Sequence, residues 1–181
     1  EVAPNRDLTI TWQPISLLEK NQPATDSEYY APVARSHKHL RVMESVRTTD
    51  GNDGVFKLYW ELGRRNHHDQ DRTFEIADAL QAVGLDTSHA AAFDDESWDA
   101  MIKERMDVGL DLAGTDIGTP IIAFDDDDGK RVALFGPVIT RVPTPEQSLR
   151  LWDSFIDMGK IPGFWEVKRT RTERPEFGER P

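Results

Sequence analysis

Gly118-Thr119-Pro120-Ile121-Ile122-Ala123-Phe124, followed by four aspartates at 125–128, Gly129-Lys130 and Arg131-Val132-Ala133-Leu134-Phe135, is the stretch that decides the fold. Residues 121–124 form an apolar run too short for a helix and suited to a buried strand. Pro120 precedes the run, a position where its missing N–H costs no ladder hydrogen bond. The aspartates and Gly129 are turn formers, so the two apolar runs read as a hairpin with a longer loop. Gly136-Pro137 ends it. Thr144-Pro145-Glu146-Gln147 then gives a full helix start: Thr144 as N-cap, Pro145 at the first helical position, and Gln147 placed to close a capping box. Leu149, Trp152, Phe155 and Ile156 follow at helical spacing.

Upstream, residues 6–12 alternate apolar and polar with β-branched enrichment, the pattern of a strand with one buried face. Val33, His37, Leu40, Met43 and Val46 predict one helix. Gly51 to Gly54 separates it from a second, carrying Val55, Phe56, Leu58, Tyr59 and Leu62. Phe74, Ala77, Leu80 and Val83 form a third stripe stopped by Gly84, with a short helix expected over residues 88–93. The longest helix is expected from about Glu96 to Ala113, stopped by Gly114. Strand, several helices, hairpin, helix is an α/β layout with a helical insertion.

At 181 residues the chain fits one domain with a sizeable core, or one domain carrying an insertion. Its 22 basic against 33 acidic residues give a formal charge of -11, which argues against nucleic acid or an anionic membrane as partner. No apolar run approaches 18 residues and no charged-then-apolar leader is visible, so a soluble cytoplasmic protein is expected. With no cysteine in the sequence, disulfides, a protein thiolate and any Cys-containing zinc site are excluded within these residues. No G-x-G-x-x-G or P-loop pattern occurs.

The blocks GTPIIAF, LFGPVITRVP, LRLWDSF and FWEVKRTRTERPEF, in that order, resemble the actinobacterial DsbA-like family that includes the mycothiol-dependent nitroreductases. The resemblance implies a thioredoxin-like fold with an inserted helical domain: residues 1–16 and 115–181 would be the thioredoxin-like part and residues 17–114 the insertion. It also implies a first strand, a Cys-Pro-x-Cys turn and a long helix, none of which precedes Leu8. The expectation is that the redox motif lies upstream of Glu1; alternatively another chain donates the strand, or the sheet closes differently. Each unmade buried hydrogen bond of a vacant strand position would cost roughly 1–3 kcal/mol.

Within that resemblance, Gly118, Thr119 and Pro120 are the substrate-facing residues, Thr119 offering backbone hydrogen bonds before a cis Pro120; the blander reading is a strand-entry turn. Ser16, in the pair Ser16-Leu17, matches a family position and reads equally as a helix cap. His67, beside His68, matches a family histidine that could serve a thiolate, or could complement a helix C-terminus. His67, Asp69 and Asp71 lack a second ligand cluster and the aspartates at 125–128 lack calcium-loop spacing, so no metal site is expected. The basic run from Lys168 to Thr172, after Phe164-Trp165, is read as packing aromatics and arginines paired to acidic surface.

The function implied by the resemblance is a DsbA-like thiol-disulfide oxidoreductase or a reductase dependent on a low-molecular-weight thiol. No cofactor is bound; mycothiol or another small thiol is the cosubstrate, and the partner is a small electrophile or a thiol/disulfide substrate. No catalytic residue is named among the 181, and a homodimer is open. Two other readings remain: a kappa-type glutathione transferase or isomerase-like enzyme with a serine-activated thiol, and a non-catalytic thioredoxin-fold binding module.

Overall fold

The computed structural model describes residues 2–181. The chain divides into two compact units. One runs through Ile10 and from Val108 to Glu179, the other takes Thr11–Asp107 with Arg180–Pro181. It is a mixed α/β chain with a small two-stranded sheet and several helices.

In the first unit, β1 (Ile121–Asp125) and β2 (Arg131–Phe135) pair antiparallel, with Ile121 opposite Phe135 and Asp125 opposite Arg131. The hairpin follows from its own loop: the Asp126 carboxylate accepts backbone N–H bonds from Asp128 at 3.1 Å and Lys130 at 2.8 Å, closing the turn locally. Beyond β2 the Gly136 N–H donates to the Pro120 carbonyl at 2.8 Å. The Thr119–Pro120 and Gly136–Pro137 peptide bonds are both cis. Helix α6 (Pro145–Gly159) begins at the full capping box of Thr144 and Gln147. Phe155 is its buried residue and meets the Phe124 ring edge-on at 6.3 Å. Short α1 (Ala3–Arg6) is tied to α6 by two bonds from Arg6 to Asp153, at 2.7 and 2.6 Å.

The second unit is helical. Short α2 (Leu17–Asn21) is followed by α3 (Tyr30–Gly63), which passes through a kink at Gly51, φ 62° and ψ -153°. A five-residue π-helical turn, Arg64–His68, closes α3. α4 (Ile76–Ala82), 3₁₀ turns at Thr87–Asp94 and Glu96–Trp98, and the part of α5 (Asp99–Ala113) up to Asp107 complete its elements. Val42, Val46, Leu58, Ala79 and Leu80 are fully enclosed at the centre of one apolar cluster. The buried Glu44 is neutralised by Arg47 on its own helix and Arg105 on α5, each at 3.0 Å.

Three expectations need correction. Residues 8–12 form no strand, because a strand needs a ladder partner and among the described residues none pairs with them. Instead the Trp12 N–H donates to Asn52 at 2.8 Å, and its ring stacks on Phe56 and Tyr59 at 5.7 and 5.3 Å. The expected separation at Gly51 is present: its φ of 62° and ψ of -153° are non-helical and divide α3 into two helices across a kink, a geometry glycine takes at little cost. The longest helix is not α5, which has 15 residues and starts at Asp99 because Glu96–Trp98 forms its own 3₁₀ turn; the part of α3 before the Gly51 kink, Tyr30 to Asp50, is longer. Trp165 does not pack: it is 87% exposed. Nor do Lys168, Arg169 and Arg171 pair with carboxylates, among the described residues none lying within 4.0 Å of one.

Gly159 sits so close to the hairpin that an added Cβ would lie 2.4 Å from the Phe124 ring and 3.0 Å from a Leu134 methyl. Gly159→Ala is therefore expected to destabilise the protein by about 1–3 kcal/mol through overpacking. Gly63→Ala, at a helical φ of -60° with open space around it, is expected to stabilise by about 0.5–1 kcal/mol. Urea midpoints moving in opposite directions would bear this out; the same direction for both would sink it.

Candidate functional site

The strand entry to β1 is built by the hairpin that follows it. Gly118 lies under the Phe135 ring, where an added Cβ would be 3.3 Å from the ring edge. Thr119 and Pro120 are exposed, with the Pro120 carbonyl committed to Gly136. In the same unit, Ile122, Pro137, Ile139, Leu151, Trp152 and Phe155 line an apolar cavity of about 180 Å³. This surface offers apolar contact and an exposed threonine, and among the described residues no titratable side chain lines the cavity.

Ser16 lies in the other unit and is 1% exposed. Its Oγ caps α2 by accepting the Glu19 N–H at 3.1 Å, and it stands 2.8 Å from His37 Nδ1. The opposite ring nitrogen of His37, Nε2, is 2.9 Å from Asp99 Oδ1. Arg41, one turn along α3 from His37, donates to both oxygens of Asp99, at 2.6 and 2.8 Å. Burial alone would raise the Asp99 carboxyl; hydrogen bonds from Arg41 and His37 outweigh it and hold the group below its usual range. An ionised Asp99 only accepts, so His37 Nε2 donates to it, while Nδ1 and the Ser16 hydroxyl share a hydrogen bond. Hydroxyl, imidazole and carboxylate thus stand in the order of a general-base relay. With Ser16 and His37 at 1% and 2% exposure, no substrate reaches that oxygen in this conformation, and the chain of bonds ties α2, α3 and α5 together.

His67 is exposed in the π-helical turn. Partial loss of hydration, then the charges of His68 and Arg72, lower its pKa, which keeps the ring neutral at neutral pH. The neighbouring arginines are committed: Arg64 and Arg65 both bind Glu61, at 2.6 and 2.8 Å. Gly118, Thr119 and Pro120 thus belong to one unit, Ser16 and His67 to the other. Among the described residues no three His, Asp or Glu side chains converge to hold a metal ion.

The sequence reading missed His37, Arg41 and Asp99. A signal was present: His37 occupies an apolar position of its stripe, and a polar residue there requires a buried partner. His39 carries the same signal and has a different outcome. It lies between the Phe74 and Phe93 rings, 7% exposed, and its Nε2 has no hydrogen-bond partner among the described residues. Burial, and then the charge of Arg35, lower its pKa from 6.5 to about 4.

Two stability measurements follow. Asp99→Asn leaves Arg41 without its counter-charge and is expected to cost about 1–3 kcal/mol at neutral pH. Because the folded pKa of Asp99 is depressed, its contribution is present above the unfolded value and lost as pH falls through the folded one, so the gap between mutant and wild type closes in acid. For His39 the folded pKa is also lowered, so the unfolded chain takes up the proton first. Stability drains as pH falls from 6.5 towards about 4. His39→Phe removes that drain and the unpartnered nitrogen, so its urea midpoint is expected to stay flat across this window while the wild type declines.

A family described as Rv2466c-like, mycothiol-dependent nitroreductase Rv2466c, matches residues 1–169. The match takes in both units, from the relay of the helical one to the hairpin and α6 of the other. With nearly its whole length covered, the chain belongs to this family of mycothiol-dependent nitroreductases.

Proposed function

We propose that the chain works in a reductase that takes electrons from a low-molecular-weight thiol, mycothiol, and delivers them to a small nitro-type electrophile at the exposed strand entry of Gly118, Thr119 and Pro120. The observation that carries this reading is the family match over residues 1–169. Two thiols supply two electrons and two protons: they become one disulfide, and a nitro group becomes nitroso with release of water. Since the 181 residues hold no cysteine, the thiolate comes from the cosubstrate or from residues outside this sequence.

The reading includes a thioredoxin-like fold of DsbA type, with residues 1–16 and 115–181 around an insertion at 17–114. The Thr-Pro entry, hairpin and capped α6 support it. In this scheme Thr119 presents backbone groups to the extended thiol, Ser16 sets the start of α2, and His67, neutral at neutral pH, is available as a proton acceptor. Thiol-disulfide exchange with a disulfide substrate is the same chemistry with another electrophile. The zero cysteine count favours one second reading, a kappa-type enzyme in which a protein hydroxyl activates the bound thiol. A reducing, cytoplasmic setting fits both.

The test is reduction of a nitroaromatic by the purified protein with mycothiol, following mycothiol disulfide and reduced product by mass. Two thiols consumed per two-electron reduction is the expected result; reduction that proceeds equally without thiol would overturn the proposal. Thr119→Trp should raise the KM for thiol by about tenfold, near 1.4 kcal/mol of lost binding, with an unchanged unfolding midpoint. Turnover by the cysteine-free chain itself would select the hydroxyl-activated reading.

A further inference from the structure

We propose, on the reductase reading above, that the apolar cavity of the first unit is the ring pocket of its electrophile, accepting an uncharged aromatic molecule of a single ring and turning away charged or fused-ring ones. Entry and cavity are made from the same two chain segments. Ile122 lines the cavity two residues beyond Pro120, and Pro137 lines it directly after Gly136, whose N–H donates to the Pro120 carbonyl at 2.8 Å. Leu151, Trp152 and Phe155 of α6 form the opposite wall. Phe155, the buried residue of α6, fixes that wall by meeting Phe124, which shares a strand face with Ile122.

Charge, lining and volume define the ligand. Since no titratable side chain among the described residues lines the cavity, a charged molecule would shed its hydration there and meet no counter-charge. The indole of Trp152 and the ring of Phe155 offer π faces and edges, which an aromatic ring matches better than an aliphatic chain does. The volume is about 180 Å³, and an engineered apolar cavity of roughly 150 Å³ holds benzene, so one substituted ring fits and two fused rings do not. Ile139 lines the cavity and is 49% exposed, which makes it the open side. A nitro group accepts hydrogen bonds, and it keeps them when the ring is enclosed and the nitro group stays on that solvent side. Ring size is thus chosen by Ile139 and Leu151, with the thiol left to Thr119.

Toluene has the required shape and carries no reducible group, so it probes the pocket without turnover. Titrated into the whole protein, it is expected to bind saturably and to shift the nuclear magnetic resonance signal of the Trp152 indole N–H, assigned through Trp152→Phe. Benzoate and naphthalene should each bind more weakly by about tenfold or more. Ile139→Trp, which closes the open side, should weaken toluene by about tenfold, whereas Leu151→Ala, which widens the wall, should bring naphthalene to within about threefold of toluene. Partial unfolding does not produce opposite changes of this kind, and urea midpoints of both variants check the fold. With mycothiol present, Ile139→Trp should raise the KM for nitrobenzene about tenfold and leave the KM for mycothiol unchanged. No saturable toluene binding, benzoate bound as tightly as toluene, or a toluene affinity indifferent to Ile139→Trp would each overturn the pocket. Toluene binding as expected with no thiol-dependent reduction of nitrobenzene would instead overturn the reductase reading and leave the ring pocket in place.

Discussion

The paired bonds from Arg41 to Asp99 are the constraint on which the helical unit depends. They join the middle of α3 to the first residue of α5, and through His37 they reach the start of α2. Apolar packing around Val46 and Leu58 supplies most of the burial, but such packing tolerates sliding of one helix on another. A chain of buried polar groups does not, since each displaced member would leave a partner unmade in a low-dielectric interior. Glu44 adds a second tie of the same kind, with Arg47 and Arg105 answering a carboxylate that has no exposed surface.

The elements legible in the sequence were those whose causes are local. The hairpin announced itself through turn formers between two apolar runs, α6 through Thr144, Pro145 and Gln147, and the end of α5 through Gly114, whose φ is 98°. What escaped was decided at a distance. Alternation at residues 6–12 states which face of an extended segment would be buried, and says nothing about whether a neighbouring strand is there to pair with it. The His37–Asp99 contact joins residues 62 positions apart, and no spacing rule links them. An acidic chain offers the arginines of the tail many carboxylates to pair with, but composition carries no information about which of them lie near, and Trp165 stays 87% exposed.

The candidate site divides along the same line. Gly118, Thr119 and Pro120 draw attention through the resemblance, since their place before an apolar run by itself reads as a strand-entry turn, and they form the entry to β1, where Thr119 and Pro120 are exposed. Ser16 was singled out as a residue that either meets substrate or caps a helix. It caps α2, and the hydroxyl that could be read as reactive is enclosed by the relay that holds it. A polarised hydroxyl and a reachable hydroxyl are separate properties, and the enclosure of Ser16 separates them.

The kink in α3 bears on how this family member can vary. At Gly51 the backbone has φ 62° and ψ -153°, and nothing lies within 4 Å of the place where a side chain would begin. Space is therefore not what restricts the position; handedness is, because this region is open to glycine and closed to L-residues of any size. In a library covering every amino acid, the site would reject alanine nearly as strongly as tryptophan, whereas a D-alanine placed there by chemical synthesis would be accepted. A half-buried position with open room around it would thus evolve as slowly as the enclosed core.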